Sequence, residues 1–131
     1  LRSSGGEKVV FNQTVNNFGL KIRYSKVISN YSFFKKLSFD MIMWFLKNYK
    51  KFDIFIINTA YSLYGLFIGF YLNKYKLPYI IYSHGSFDSH ILNNPIKKLW
   101  WKLIDRKIFN NANSVIALTN NEKQGLRMIG L

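Results

Sequence analysis

Short apolar runs rich in β-branched and aromatic residues alternate along the chain with longer stretches whose apolar positions recur at helical spacing, the signature of βαβ units. The spacing predicts a helix over 7–18, with Val9, Val10, Phe11 and Val15 on its inner side and Gly19 just past its end. A strand over 20–28 follows, then a helix over 33–49 with apolar Phe34, Leu37, Met41, Trp44 and Phe45 and with Lys47, Lys50 and Lys51 at its negative end. Residues 53–58 form a continuous apolar run, as expected of a central strand covered on both faces.

A helix over 64–76 comes next, and Pro78 separates it from a strand over 79–83. Pro95 opens a helix that runs to about Asn111, and a last strand covers 114–118. Thr119 caps a final helix, with Glu122 three residues on completing a Thr-x-x-Glu capping box. The simplest arrangement is an α/β fold with one Rossmann-like, doubly wound parallel sheet. Ligands of such sheets bind outside the carboxyl ends of the strands. Chemistry is therefore sought in residues 3–6, 84–88 and 119–122.

Composition narrows the classes. With 131 residues the chain fits one domain, and 49% hydrophobic against 19% charged residues is a folding composition, not a disordered one. Zero Cys excludes disulfides and thiolate chemistry, and two His leave little for a metal site, so no metal is expected. The 19 Lys and Arg outnumber 6 Asp and Glu, a net charge of +13 that favours an anionic partner. The longest uncharged apolar stretch, 61–72, falls short of the roughly eighteen residues that a spanning helix needs. No signal peptide is recognisable, and a cytoplasmic location, at most touching the membrane face, is expected. P-loop, catalytic-triad and RNA-binding signatures are missing, and no nucleic-acid partner is expected.

Three places carry candidate chemistry. Gly5 and Gly6 precede a predicted helix, where unpaired amides and the helix dipole suit a phosphate, although a flexible turn is the plainer alternative. His84 stands where a strand stops and is suited to donate to a phosphate or sugar hydroxyl. Asp88 shares its loop, as orienting group or as ordinary turn residue, whereas His90 reads as a solvated loop residue. Lys98, Lys102 and Arg106 recur every four residues as one stripe, with Leu99, Leu103 and Ile108 assigned to the core. With Trp100 and Trp101 nearby, the stripe fits either an anionic lipid surface or a solvated helix face.

Ser3-Ser4-Gly5-Gly6-Glu7, the segment from Leu77 through His84-Gly85 to Asp88, and the segment from Ala112 through Thr119 to Glu122 together resemble the N-terminal domain of family-4, retaining, GT-B-fold glycosyltransferases. The resemblance spans almost the whole chain, and the Pro78 to Asp88 spacing is its most specific part. It implies transfer of a sugar from a nucleotide-sugar donor to a glycan or lipid-linked acceptor, with retention and without a metal cofactor. It assigns Gly5 and Gly6 to the donor phosphates and His84 to catalysis, with Gly85, Asp88, Thr119 and Glu122 positioning sugar or acceptor. It further implies that residues 1–131 are an incomplete acceptor-side domain lacking its first strand and a donor-binding domain, inactive alone. The alternative is a non-catalytic basic module for an anionic membrane or polymer.

Overall fold

A computed structural model describes residues 13–25, 38–58, 60, 62–87 and 94–131. In chain order these form β1 (Thr14–Asn17), β2 (Leu20–Arg23), α1 (Phe39–Asn48) continuing into a 3₁₀ turn, β3 (Phe55–Ile57), α2 (Leu63–Lys74) and β4 (Tyr79–Tyr82). Then come α3 (Pro95–Trp100), a π-helical turn (Trp101–Asp105), α4 (Arg106–Asn110), β5 (Ser114–Ile116) and α5 (Asn120–Met128). The starts of α1, α2, α3 and α5 are each capped by the side-chain oxygen of Ser38, Ser62, Asn94 or Thr119, which accepts from otherwise orphaned helical amides.

β3, β4 and β5 make the expected parallel sheet, in that spatial order. The α/β class therefore holds, but two expectations need correction. Among the described residues the sheet has three strands, with β3 at its edge and β4 central. The packing on the face turned from the core shows it: Ile56 of β3 is 65% exposed, whereas its partner Ile80 in β4 is half-buried. An apolar run reports greasy surroundings, and its place in the sheet is decided by partners distant in sequence.

The second correction concerns the chain's first part. Residues 14–17, predicted to end a helix, are a strand, and the stretch predicted over 20–28 contributes β2 to an antiparallel hairpin instead of the parallel sheet. Residues 7–12 and 26–28 of those two predictions lie outside the described residues. Phe18 and Gly19 link β1 to β2 with φ of +47° and +76°, the paired positive values of a type I′ turn whose twist suits a two-residue hairpin. Thr, Val and Asn are poor helix formers, so this local geometry overrides the weak apolar periodicity.

Alternate residues of the strands enter the core. Phe55, Ile57, Tyr79, Ile81 and Val115 share one face by register, and the buried members meet Leu72, Ile108 and Phe109 in one cluster. Phe87, Trp101 and Phe109 pack edge to face with centroids 5.1–5.2 Å apart, favourable for ring quadrupoles. Gly69 on α2 lies so close to α4 that an added Cβ would sit 2.5 Å from Ile108 Cγ2. The Tyr79 hydroxyl donates to the Ile108 carbonyl at 2.6 Å. Burial pushes that phenol up to about 12, so it stays a neutral donor. No helix among the described residues is long and apolar enough to cross a membrane.

Candidate functional site

The carboxyl end of β4 is built around a buried polar link. Ser83, wholly buried, donates from Oγ to Glu122 Oε1 at 2.7 Å and lies 3.2 Å from the Ile116 carbonyl. Glu122 is equally buried, and its Oε2 accepts from the Leu118 amide at 2.8 Å. Its own amide donates to Thr119 Oγ1 at 3.1 Å. The predicted Thr119 cap is therefore present, but the glutamate reaches Leu118, one residue beyond the partner that a capping box would give it. Both carboxyl oxygens are occupied within the protein, as burial of such a group requires. Thr119 and Glu122 thus reach the site from behind, through Ser83 and the start of α5.

From Ser83 the chain turns back at once. The Ser86 amide donates to the Ser83 carbonyl at 3.1 Å, and the residues between them, His84 and Gly85, have φ of +49° and +72°. Such values suit glycine and are strained for histidine. No atom lies within 4 Å of a Cβ built on Gly85, so glycine is needed there for its backbone, not for space. Phe87, fully buried against Trp101, fixes the far side of the turn. The strained residue is held from both directions.

The turn presents the His84 imidazole to solvent. Nε2 contacts Oδ1 of Asn58, which follows β3 directly, and the ring meets the Tyr82 ring edge to face at 4.5 Å. An exposed imidazole flanked by an amide and a phenol therefore stands at the carboxyl ends of two neighbouring parallel strands. Asn58 and Ser83 were not singled out from the sequence. Their available signal was position alone, each being the polar residue that closes an apolar strand run.

The other predicted residues fall elsewhere. Gly5, Gly6, Asp88 and His90 lie outside the described residues. Lys98, Lys102 and Arg106 are all exposed on α3, the π-helical turn and α4, as a stripe requires. The assignment of Leu99 and Leu103 to the core is corrected: they are 58% and 68% exposed, while Ile108 is buried as expected. Trp101 and Asp105 occupy the inner face, and residues two positions away along a helix point the opposite way. A hollow of about 760 Å³ between the hairpin and α1 is lined by Lys21, Arg23, Trp44, Lys51 and Phe52 among others, and no predicted site residue lines it.

A polar turn closing a central parallel strand, backed by helices and carrying an exposed imidazole, defines a Rossmann-like ligand-binding domain. The family model of Glycosyltransferase Family 4 matches residues 5–131, and the chain belongs to that family. It is thus a glycosyltransferase domain, which works between a sugar donor and an acceptor. Neither a curated protein nor a solved structure matches the chain.

Proposed function

We propose that this domain forms the acceptor-side wall of a cleft in which a sugar passes, with retention of configuration, from a nucleotide-sugar donor to a glycan or lipid-linked acceptor. The observation that supports this reading most is His84: a strained backbone, anchored from behind by buried Ser83 and Glu122, holds an exposed imidazole where parallel α/β sheets take their ligands. In this reading His84 contacts the transferred sugar or acceptor, and Gly85 permits the turn. Asp88 takes an acceptor hydroxyl, and Gly5 and Gly6 carry the donor diphosphate. Thr119 and Glu122 position the histidine from within. Fixed amides and cations around the departing diphosphate stabilise the charge that develops there.

The test is nucleotide release by the complete enzyme from a panel of nucleotide sugars, comparing the parent with His84→Ala. A loss of about 100-fold is expected on the scale of a positioned imidazole. Unchanged turnover would remove His84 from the mechanism. Transfer without a metal cofactor predicts that a chelator leaves the rate unaltered.

A second reading, contact with an anionic membrane at the cytoplasmic face, is favoured by the outward Leu99 and Leu103 beside Lys98, Lys102 and Arg106. Apolar side chains next to a basic stripe suit shallow insertion among anionic headgroups. Sedimentation with anionic vesicles should then enrich the protein at low salt, and Leu99→Ser with Leu103→Ser should weaken it. Absence of enrichment rejects this contact. Salt-sensitive vesicle binding by a complete enzyme that responds to no nucleotide sugar would instead favour the non-catalytic basic module.

A further inference from the structure

We infer that Asn58 is a positioning residue that fixes which nitrogen His84 offers to a ligand. The inference rests on the reading of His84 as a substrate contact and deepens it. Register brings the two residues to one end of the sheet: beyond the Ile57–Ile81 pair of the parallel ladder, the chain leaves β3 at Asn58 and leaves β4, after Tyr82, at Ser83-His84. The Asn58 amide offers an acceptor oxygen at one end and an N–H donor at the other, and its Oδ1 is the atom that faces His84 Nε2. An oxygen there can only accept, which requires the imidazole to carry its proton on Nε2. The neutral ring then has one free nitrogen, Nδ1, and that nitrogen is an acceptor.

The consequence reverses the expectation from sequence. Neutral His84 accepts from a sugar or acceptor hydroxyl at Nδ1 instead of donating to it, so its preferred ligand is one with a hydroxyl hydrogen to give. The Tyr82 ring stands edge to face with the imidazole at 4.5 Å, beside the Asn58 contact. The opposite orientation of the amide would put Nδ2–H against a lone pair of Nε2 and the proton on Nδ1. An aspartate in place of the asparagine separates the two arrangements, because it keeps the acceptor and removes the donor.

The experiment is NMR of the ring nitrogens and their protons in this chain, in a His90→Gln background that leaves His84 as the sole imidazole, at a pH above the usual histidine titration range. The parent should show a protected proton on Nε2, Asn58→Asp should keep it, and Asn58→Leu should lose it to solvent exchange. A parent ring protonated on Nδ1, loss of the Nε2 proton in Asn58→Asp, or an unchanged signal in Asn58→Leu would each overturn the inference. Since Asn58 is exposed, the backbone amide spectrum of the variants should otherwise match the parent, which separates ring orientation from folding. In the complete enzyme Asn58→Leu should slow transfer about 10-fold, the scale of one hydrogen bond within a polar site. If His84→Ala leaves transfer intact, the substrate reading fails while the ring assignment is judged by the spectra alone. If His84→Ala abolishes transfer and the spectra go against Asn58, only the positioning role fails.

Discussion

Two turns in this protein share a backbone and differ in what holds them. Phe18-Gly19 and His84-Gly85 each place a non-glycine residue and then a glycine at positive φ, +47° and +76° in the first, +49° and +72° in the second. The hairpin, at the end of β2 away from its turn, and the His84-Gly85 turn are each tied down by one carboxylate that accepts from a serine and from a second donor. Asp40 takes Arg23 and Ser25, both at 2.9 Å, and tethers the end of β2 to the first turn of α1. Glu122 takes Ser83 and the Leu118 amide, and tethers the end of β4 to α5. The Arg23 and Asp40 side chains retain 20% and 28% exposure, whereas Glu122 has none. Solvent can replace the partners of the first carboxylate, whereas the second carboxylate is itself shut off from it. The same local geometry thus belongs to a peripheral hairpin in one place and to a surface turn anchored in the core in the other.

Removing the two tethers gives the largest expected contrast. Glu122→Ala takes the carboxylate acceptor from the Leu118 amide, leaves the buried Ser83 hydroxyl only the Ile116 carbonyl, and opens a cavity where the fully buried side chain was, at a cost of about 3 kcal/mol. Asp40→Ala exposes its donors to water and should cost about 1 kcal/mol or less, with an effect that shrinks as salt rises. Urea unfolding of the two variants at low and high salt checks both statements. Equal losses would show that the buried link is no stronger than the surface pair.

The glycines sharpen the comparison at a smaller scale. Neither Gly19 nor Gly85 has an atom within 4 Å of an added Cβ, so Gly19→Ala and Gly85→Ala should meet only backbone strain, about 1 kcal/mol each. The losses should appear in different places. Gly85→Ala lowers the midpoint of global unfolding, because its turn is fixed between Ser83 and Phe87. Gly19→Ala should mainly speed hydrogen exchange of the β1 and β2 amides, since a two-stranded hairpin can open by itself. A shift of global stability by Gly19→Ala as large as that of Gly85→Ala would place the hairpin within the cooperative core.

The same contrast explains what the sequence disclosed. Features decided within a few residues were legible: the three apolar runs became β3, β4 and β5, Pro95 opened α3, and Thr119 capped α5. Features decided across the chain were not. Ser83 and Glu122 are 39 residues apart, Asn58 and His84 are 26 apart, and nothing local announces either contact. The edge position of β3 depends on which strands pair, and the outward aim of Leu99 and Leu103 on which residues claim the inner face. For residues 14–17 two local signals compete, an apolar spacing near the helical period and the Asn-Phe-Gly turn signal, and the turn prevails. Of the candidate site, His84 and its strand-end position were readable, and the groups that hold it were not.

The smallest expected effect bears most directly on function. Histidine in the left-handed region carries strain that glycine does not, partly offset by the extra chain entropy that glycine loses on folding. His84→Gly should therefore stabilise the protein by about 0.5 kcal/mol, while the proposed function predicts a loss of about 100-fold in transfer by the complete enzyme. Phe18→Gly relieves similar strain in the hairpin, where the side chain is almost fully exposed, and should leave transfer unchanged. Paired denaturation curves and nucleotide-release assays measure both quantities. A gain in stability with loss of activity at 84, against a local gain without loss at 18, is the pattern of strain retained for use at one turn and merely tolerated at the other. If His84→Gly instead destabilises the fold by more than about 1 kcal/mol, the contacts of the imidazole with Asn58 and Tyr82 outweigh the backbone strain, and the histidine is held there for stability.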